Sequence, residues 1–218
     1  LDGCMNKLLL VMILFTGTGL LYGCSADVTD DQYLVNAQNY IDSGKIKAAL
    51  IEMKNLLRNN PDNPQGRLLM GRLQFETGNM AASEKELTKA RELGVGDELI
   101  FPLLAQALLL QGKGDEVLKL PLKNLTAGGQ GDVLAAQGQV KLAQGKLTEA
   151  TSLIEKAISK DPASINALIA GARIHAAKNE IDLAREKLEA ASLIDPKSAS
   201  ASSLLGDIEW QEQNLDLA

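Results

Sequence analysis

The chain has 218 residues, is rich in alanine and leucine, and contains only 3% aromatic residues, a composition that favours packed helices over β-strands. Its formal net charge of −6 argues against nucleic acids and strongly acidic molecules as partners. No cysteine follows Cys24, so a mature chain that begins there can form no internal disulfide bond.

An apolar leader opens the chain. Met5 is the expected translation start, which leaves residues 1–4 upstream of it. Lys7 and an unbroken apolar run from Leu8 to Phe15 follow, and this pattern predicts a signal peptide over residues 5–23. The run is too short to span a bilayer alone. Extending it to Tyr22 adds two threonines and two glycines, so a spanning anchor is the weaker alternative.

The leader ends in Leu21-Tyr22-Gly23-Cys24, which resembles the bacterial lipobox. In that motif a small residue precedes a cysteine whose thiol is diacylated and which then becomes N-terminal. The resemblance implies that Cys24 is lipidated, with residues 24–29 as the lipidated cysteine and its tether. Ser25 is the type of residue that accompanies export of such lipoproteins to the outer membrane. A free or buried cysteine after an uncleaved anchor is the alternative.

The stretch from Tyr33 to Pro61 is predicted to form two short helices joined by a tight turn. Gly44 ends the first helix and permits the turn. Ala49 and Met53 continue the apolar face at helical spacing, and Pro61 stops the second helix. Neither helix can bury its apolar face alone, so the unit needs a neighbour to stack on.

The same unit recurs at steps of 33 or 34 residues. The turn residues are Gly44, Gly78, Gly112, Gly145, Asn179 and Gln213. Seven positions before each turn lies a small residue that would let two helices approach closely. These residues are Ala37, Gly71, Ala105, Gly138, Ala172 and Gly206.

This period, with its small residues and its prolines after second helices, resembles the tetratricopeptide repeat. The resemblance implies an all-α fold, a right-handed α-solenoid of helix-turn-helix repeats. Its repeats would span about 30–63, 64–97, 98–130, 131–164, 165–198 and a truncated 199–218. A helical bundle with chance periodicity is the alternative.

The third repeat is irregular. Pro121 falls within its second helix, which should therefore be short or kinked. The segment Gly128-Gly129-Gln130-Gly131 is predicted to be a flexible joint. It would be either a local irregularity inside one continuous solenoid or a hinge between two repeat arrays.

Few residues in the sequence suggest catalysis. His175 is the only histidine and lies at a position expected to pack, and no cysteine–histidine cluster has metal-ligand spacing. Carboxylates alternate with lysines and arginines, as on solvated helix faces. The sequence therefore predicts no enzyme, no catalytic residue, no metal and no cofactor, and an enzyme would need a further domain after Ala218.

A row of mostly polar residues is the candidate binding surface. It lies one position after each small residue and consists of Gln38, Arg72, Gln106, Gln139, Arg173 and Asp207. Beside it fall Asp42, Phe75, Glu76, Leu109 and Trp210. A shared repeat position predicts one concave surface. Its amides and guanidinium groups could bind an extended peptide backbone or sugar hydroxyls, and a merely solvated row is the alternative. The row lacks the Lys/Asn clamp of chaperone-binding repeats, which argues against a C-terminal carboxylate ligand.

The leader, the short tether and residues 24–112 together resemble the tetratricopeptide lipoproteins of the PEP-CTERM system. That system couples exosortase-dependent protein sorting to exopolysaccharide production. The resemblance implies an outer-membrane scaffold on the periplasmic face, with protein or peptide partners that include polysaccharide-export components and no nucleic acid. Family members are longer, so the chain is expected to be an N-terminal fragment. The alternative function is a lipoprotein that assists assembly of an outer-membrane machine, either a β-barrel insertase or a pilus secretin.

Overall fold

The computed structural model describes the backbone of residues 28–216 and the side chains of residues 28–210. Cys24, the signal peptide at 5–23, most of the tether and Ala218 lie outside the described residues. Within the described range every element is a helix. These helices are α1 (Asp30–Asp42), α2 (Ile46–Asn59), α3 (Pro64–Glu76), α4 (Met80–Glu92), α5 (Asp97–Leu110), α6 (Gly114–Lys119), α7 (Ala127–Ala143), α8 (Leu147–Lys160), α9 (Ile165–Ala177), α10 (Ile181–Ile194) and α11 (Ala199–Asp216).

The predicted all-α solenoid is confirmed. Consecutive helices pair as hairpins, with α1 on α2, α3 on α4, α7 on α8 and α9 on α10. First helices of neighbouring pairs also contact one another, α5 with α7 and α7 with α9. The first helices therefore form one layer and the second helices another, and this arrangement buries the apolar face of each pair against its neighbour.

The predicted turns have the backbone conformation that their residues favour. Gly44, Gly78, Gly112 and Gly145 have φ between 71° and 79°, and Asn179 has φ 61°. This left-handed region suits glycine and, less well, asparagine. The sixth predicted turn, at Gln213, is wrong because α11 runs to Asp216 without a break. Glutamine is a good helix former, so it does not end a helix as glycine does.

The small residues lie where neighbouring helices meet. Five of the six are buried. A Cβ atom added at Gly71 would lie 2.9 Å from Leu87 Cδ2, so no larger residue fits there without movement. Gly206 on α11 differs, because it is exposed and an added Cβ would meet nothing within 4 Å.

The third pair has a short second helix, as Pro121 predicted, since α6 has six residues and ends at Lys119. The predicted flexible joint at 128–131 is wrong. These residues form the start of α7, which Thr126 caps by accepting a bond from Gly129 N at 3.2 Å. The glycines allow close packing: a Cβ at Gly131 would lie 3.2 Å from the Ala157 carbonyl oxygen.

One core continues across this region. It joins Leu87 on α4, Phe101 on α5, Val117 on α6 and Val140 on α7 in a single buried cluster. A continuous apolar core resists bending, so the structure favours a local irregularity over a hinge between two arrays. None of the helices within residues 28–216 is long and apolar enough to cross a bilayer.

Carboxylates near the starts of first helices join consecutive pairs. Each accepts a hydrogen bond from the side chain that caps the next first helix. The pairs are Asp30 with Asn63 (3.0 Å), Glu98 with Thr126 (2.6 Å) and Asp132 with Ser164 (2.8 Å). Each cap residue is thereby held on both sides, which keeps the first helices in register and shapes the surface above them.

Candidate partner-binding groove

A groove of about 740 Å³ crosses the layer of first helices, from Phe75 on α3 to Ser200 on α11. A hollow of about 320 Å³ adjoins it at the α3 end and shares Phe75, Pro102 and Leu103 with it. The groove spans four helix pairs and the helix that follows them, because neighbouring first helices contribute side chains at equivalent positions. We call the two together the concave groove.

The structure brings four of the six predicted row residues together. Gln106, Gln139 and Arg173 line the main groove, and Arg72 lines the adjoining hollow. Gln38 and Asp207 are exposed on the first and last described helices and line neither space. The Gln38 side-chain nitrogen donates to Asp42 Oδ1 at 2.8 Å, so a neighbour on its own helix engages it.

Apolar side chains flank the row on α5, near the Phe75 end of the groove. Leu103 lies on one side of Gln106, and Leu109 and Leu110 lie on the other. Leu110 is 62% exposed, and with the neighbouring apolar side chains of the groove it forms an exposed apolar patch. Leu109 and Phe75 were expected beside the row, but Leu103, Leu110, Pro102 and Ile169 were missed. The repeat register could have found them, because Leu110 lies two positions before a turn residue and the other three lie nine or ten positions before one.

The far edge of the groove is polar. Asp132, Asn166 and Ser200 line this edge and share one repeat position, thirteen residues before Gly145, Asn179 and Gln213 respectively. Asp132 Oδ1 accepts bonds from Ser164 Oγ at 2.8 Å and from Asn166 Nδ2 at 3.1 Å. This carboxylate is therefore already satisfied by the joint between two helix pairs.

Two row residues have unused hydrogen-bonding groups. The side-chain nitrogen of Gln106 is buried and has no acceptor among the described residues, a situation that costs about 1–3 kcal/mol. Arg173 is exposed, and no ion pair or hydrogen bond reaches its side chain within the part of the chain that the structure describes. The Arg173 guanidinium is open to a ligand in the groove, whereas the Gln106 side chain would have to rotate to present its nitrogen there.

Other charged pairs join neighbouring helices outside the groove. Lys113 donates to Glu84 Oε2 at 2.6 Å, and this hydrogen bond raises the pKa of Lys113. Lys141 lies 2.8 Å from Glu149 Oε2, and its hydrogen bond lowers the pKa of Glu149. His175 Nδ1 lies 2.6 Å from Glu180 Oε2, across the turn between α9 and α10. Among residues 28–210 no group of histidine, cysteine or carboxylate side chains could hold a metal ion.

Comparison with known proteins agrees with this geometry. A family model described as tetratricopeptide repeat matches residues 40–107 and 141–208. Among solved structures, a thermophilic protein of this type from Thermus thermophilus has 14% identity and a TM-score of 0.63, and the match covers 84% of this chain and all of that one. A tetratricopeptide repeat protein from Parabacteroides merdae has 18% identity and a TM-score of 0.64, with 83% and 71% covered.

A third structure is that of YrrB, described as a protein of the same repeat type with an unusual peptide-binding site. It has 16% identity and a TM-score of 0.51, and the match covers 83% of this chain and 94% of that chain. Identities at this level show a shared fold. No curated protein matches the sequence.

Proposed function

Because the chain belongs to the tetratricopeptide repeat family, we propose that it is a scaffold, lipid-anchored at the periplasmic face of the outer membrane, that binds protein partners in the concave groove. The repeat fold is typically non-catalytic and presents extended surfaces to protein or peptide partners. The observation that carries the proposal is the groove itself, where Gln106, Gln139 and Arg173 from three successive pairs line one open space.

The lipid anchor rests on the sequence before the described residues. An apolar run from Leu8 to Phe15 and a small residue, Gly23, precede Cys24 as in a lipobox. Since α1 begins at Asp30, six residues after Cys24, the solenoid would start within about 20 Å of the anchor. A partner held in the groove would then be held close to the membrane.

The cellular role that we propose is in exopolysaccharide export and sorting of PEP-CTERM proteins. The resemblance of residues 24–112 to lipoproteins of that system supports it. A scaffold suits this role, because export and sorting machines need their components gathered at one place on the membrane. The groove would hold a segment of one such component.

The test is complementation in the native host. A deletion strain receives either the wild-type gene or Leu110→Gln, which removes the most exposed leucine of the groove. Secreted exopolysaccharide and surface-sorted PEP-CTERM proteins are then measured. We expect the deletion to lose both, the wild-type gene to restore both, and Leu110→Gln to restore them incompletely at an equal protein level.

Ile51→Gln is the matched control, since Ile51 is 57% exposed on α2, outside the groove. It should restore both outputs fully. If the deletion leaves exopolysaccharide and sorting unchanged but lowers the amount of assembled β-barrel proteins or pilus secretin, the alternative assembly function replaces this one. If Leu110→Gln and Ile51→Gln behave alike, the groove is not the binding surface.

A further inference from the structure

The main space of the concave groove has a charge and polarity pattern along its length, and the adjoining hollow carries the charged residues Arg72, Glu76 and Glu98. The α5 part of the main space has apolar side chains on both sides of Gln106, its α7 part carries Gln139, and its α9 part carries Arg173. Asp132 and Arg173 are the charged residues among the described lining of the main groove. A ligand that matches this pattern must be apolar at one end and anionic at the other.

The α5 end offers a seat for an apolar side chain. Phe75, Pro102, Leu103, Leu109 and Leu110 surround it. Covering Leu110 and its neighbours removes apolar surface from water, which favours binding at about 25 cal/mol per Å². A sugar chain would need hydrogen-bonding groups where these leucines lie, so the pattern favours a peptide over a polysaccharide.

Gln106 lies within this seat on α5, and Gln139 lies on α7, between the seat and Arg173 on α9. Gln106 has a buried side-chain nitrogen without an acceptor among the described residues, and Gln139 occupies the same position on the next first helix. An extended peptide exposes carbonyl and N–H groups along its length, and an amide side chain can bond both. Rotation of the Gln106 side chain toward the groove would let a peptide carbonyl accept the unpaired N–H.

The α9 end offers a single positive charge. Arg173 is exposed and unpaired within the described residues. Asp132 is the opposing charge in this space, and hydrogen bonds from the neutral side chains of Ser164 and Asn166 hold its Oδ1 atom at the edge of the groove without removing that charge. Asn166 and Arg173 are seven residues apart on α9, which places them about 10 Å apart along the helix. Although the net charge of the chain disfavours a strongly acidic partner, one carboxylate fits at Arg173.

The spacing of the helices sets the length of the partner segment. Packed helices lie about 10 Å apart, so the two steps from α5 to α9 cover about 20 Å. An extended chain advances about 3.3 Å per residue, which corresponds to about six residues. We propose that the groove recognises an extended segment with a large apolar side chain about six residues from an aspartate or glutamate, an inference that rests on the proposed function. The apolar side chain would seat on α5 and the carboxylate would pair with Arg173.

The test is a selection from a phage-displayed library of random peptides about twelve residues long, long enough to cover the groove, against the full chain in detergent. Enriched peptides are synthesised and their Kd values measured by fluorescence anisotropy. We expect a shared pattern of an apolar residue and a carboxylate at the stated spacing. Arg173→Gln should weaken these peptides about tenfold or more, since a charge-assisted hydrogen bond is lost.

Arg58→Gln is the matched control, because it removes one positive charge from an exposed site on α2, outside the groove. It should leave the Kd unchanged. The decisive arm is charge exchange, in which Arg173→Glu should regain affinity for a peptide whose carboxylate residue is replaced by lysine. Circular dichroism confirms that each variant is folded before its Kd is used.

The outcomes separate this inference from the proposed function. If the selected peptides lose affinity with Leu110→Gln but not with Arg173→Gln, the groove binds peptides and the charge pairing is wrong. If no selected peptide depends on Leu110, Gln139 or Arg173, both proposals about the groove fail. If purified exopolysaccharide fragments bind the groove and the library yields no binder, the partner is a sugar and the inference is overturned.

Discussion

The side chain of Ile154 on α8 fills the space above Gly138 on α7, so that a Cβ atom added to Gly138 would lie 2.5 Å from Ile154 Cδ1. The carbonyl oxygen of Ala150 lies 3.4 Å from the same point. Ile154 is itself buried, so it has little room to move. The absence of a side chain at Gly138 thus lets the helices of the fourth pair pack as closely as they do.

We expect Gly138→Leu to destabilise the fold by about 1–3 kcal/mol or more, because overpacking forces side chains and backbone apart. Gly71→Leu should behave in the same way, since a Cβ atom there would lie 2.9 Å from Leu87 Cδ2. Urea unfolding measured by circular dichroism gives the free energies. Gly206→Leu is the control at the equivalent position, where nothing lies within 4 Å. Wild-type stability of Gly71→Leu and Gly138→Leu would contradict the repeat register.

Ser83 is expected to lower the free energy of unfolding of the protein. It is fully buried on α4, and its hydroxyl has no hydrogen-bond partner in the described structure. Other pairs have alanine at this position, as at Ala49 and Ala150. Ser83→Ala should raise the free energy of unfolding by about 1 kcal/mol, because it removes an unpaired buried polar group.

The exposed Ser152 on α8 provides the comparison for that variant. Ser152→Ala changes only helix propensity, a gain of about 0.5 kcal/mol. The difference between the two variants isolates the burial effect. Equal gains from both would show that the Ser83 hydroxyl is satisfied in solution.

Glu98 is expected to hold the start of α7. Its carboxylate accepts bonds from Thr126 N at 2.7 Å and from Thr126 Oγ1 at 2.6 Å. Glu98→Ala should cost about 1–2 kcal/mol, since it removes charge-assisted bonds at a helix cap. It should also speed amide hydrogen exchange at Thr126 and Gly129. The exposed Glu155 on α8 supplies the control, and Glu155→Ala should change neither. Unaltered exchange in Glu98→Ala would show that the Thr126 cap suffices alone.

Cys24 is predicted to carry the lipid. Mass spectrometry of the mature wild-type protein should show Cys24 as the N-terminal residue with a diacylglycerol modification. Cys24→Ala should accumulate as an unprocessed, unacylated precursor, because no thiol is present to accept the lipid. An unmodified Cys24 in the mature wild-type protein would rule out the lipid anchor, and the groove could still bind partners.

Single residues explain which features of the fold could be predicted. Gly44, Gly78, Gly112 and Gly145 indicated turns because a left-handed backbone suits glycine, and Pro121 indicated a short α6 because proline cannot continue a helix. The prediction for Gly128–Gly131 was wrong, since several glycines close together in a sequence usually indicate a flexible segment. In the structure Gly129 lies against Glu98 and Gly131 lies against Ala157, and Thr126 caps the helix that these glycines begin.

Local chemistry and the repeat period sufficed to predict the helix pairs and five of the six turns, because each depends on residues near one another in the chain. The packing of α3, α5, α7 and α9 determines which members of the row share a groove. It brings Gln106, Gln139 and Arg173 together in the main groove. Packing also left Leu110 exposed and the Gln106 amide without an acceptor among the described residues. These features depend on distances between residues on different helix pairs, about one repeat apart in the chain. Those distances are fixed only when the pairs stack on one another.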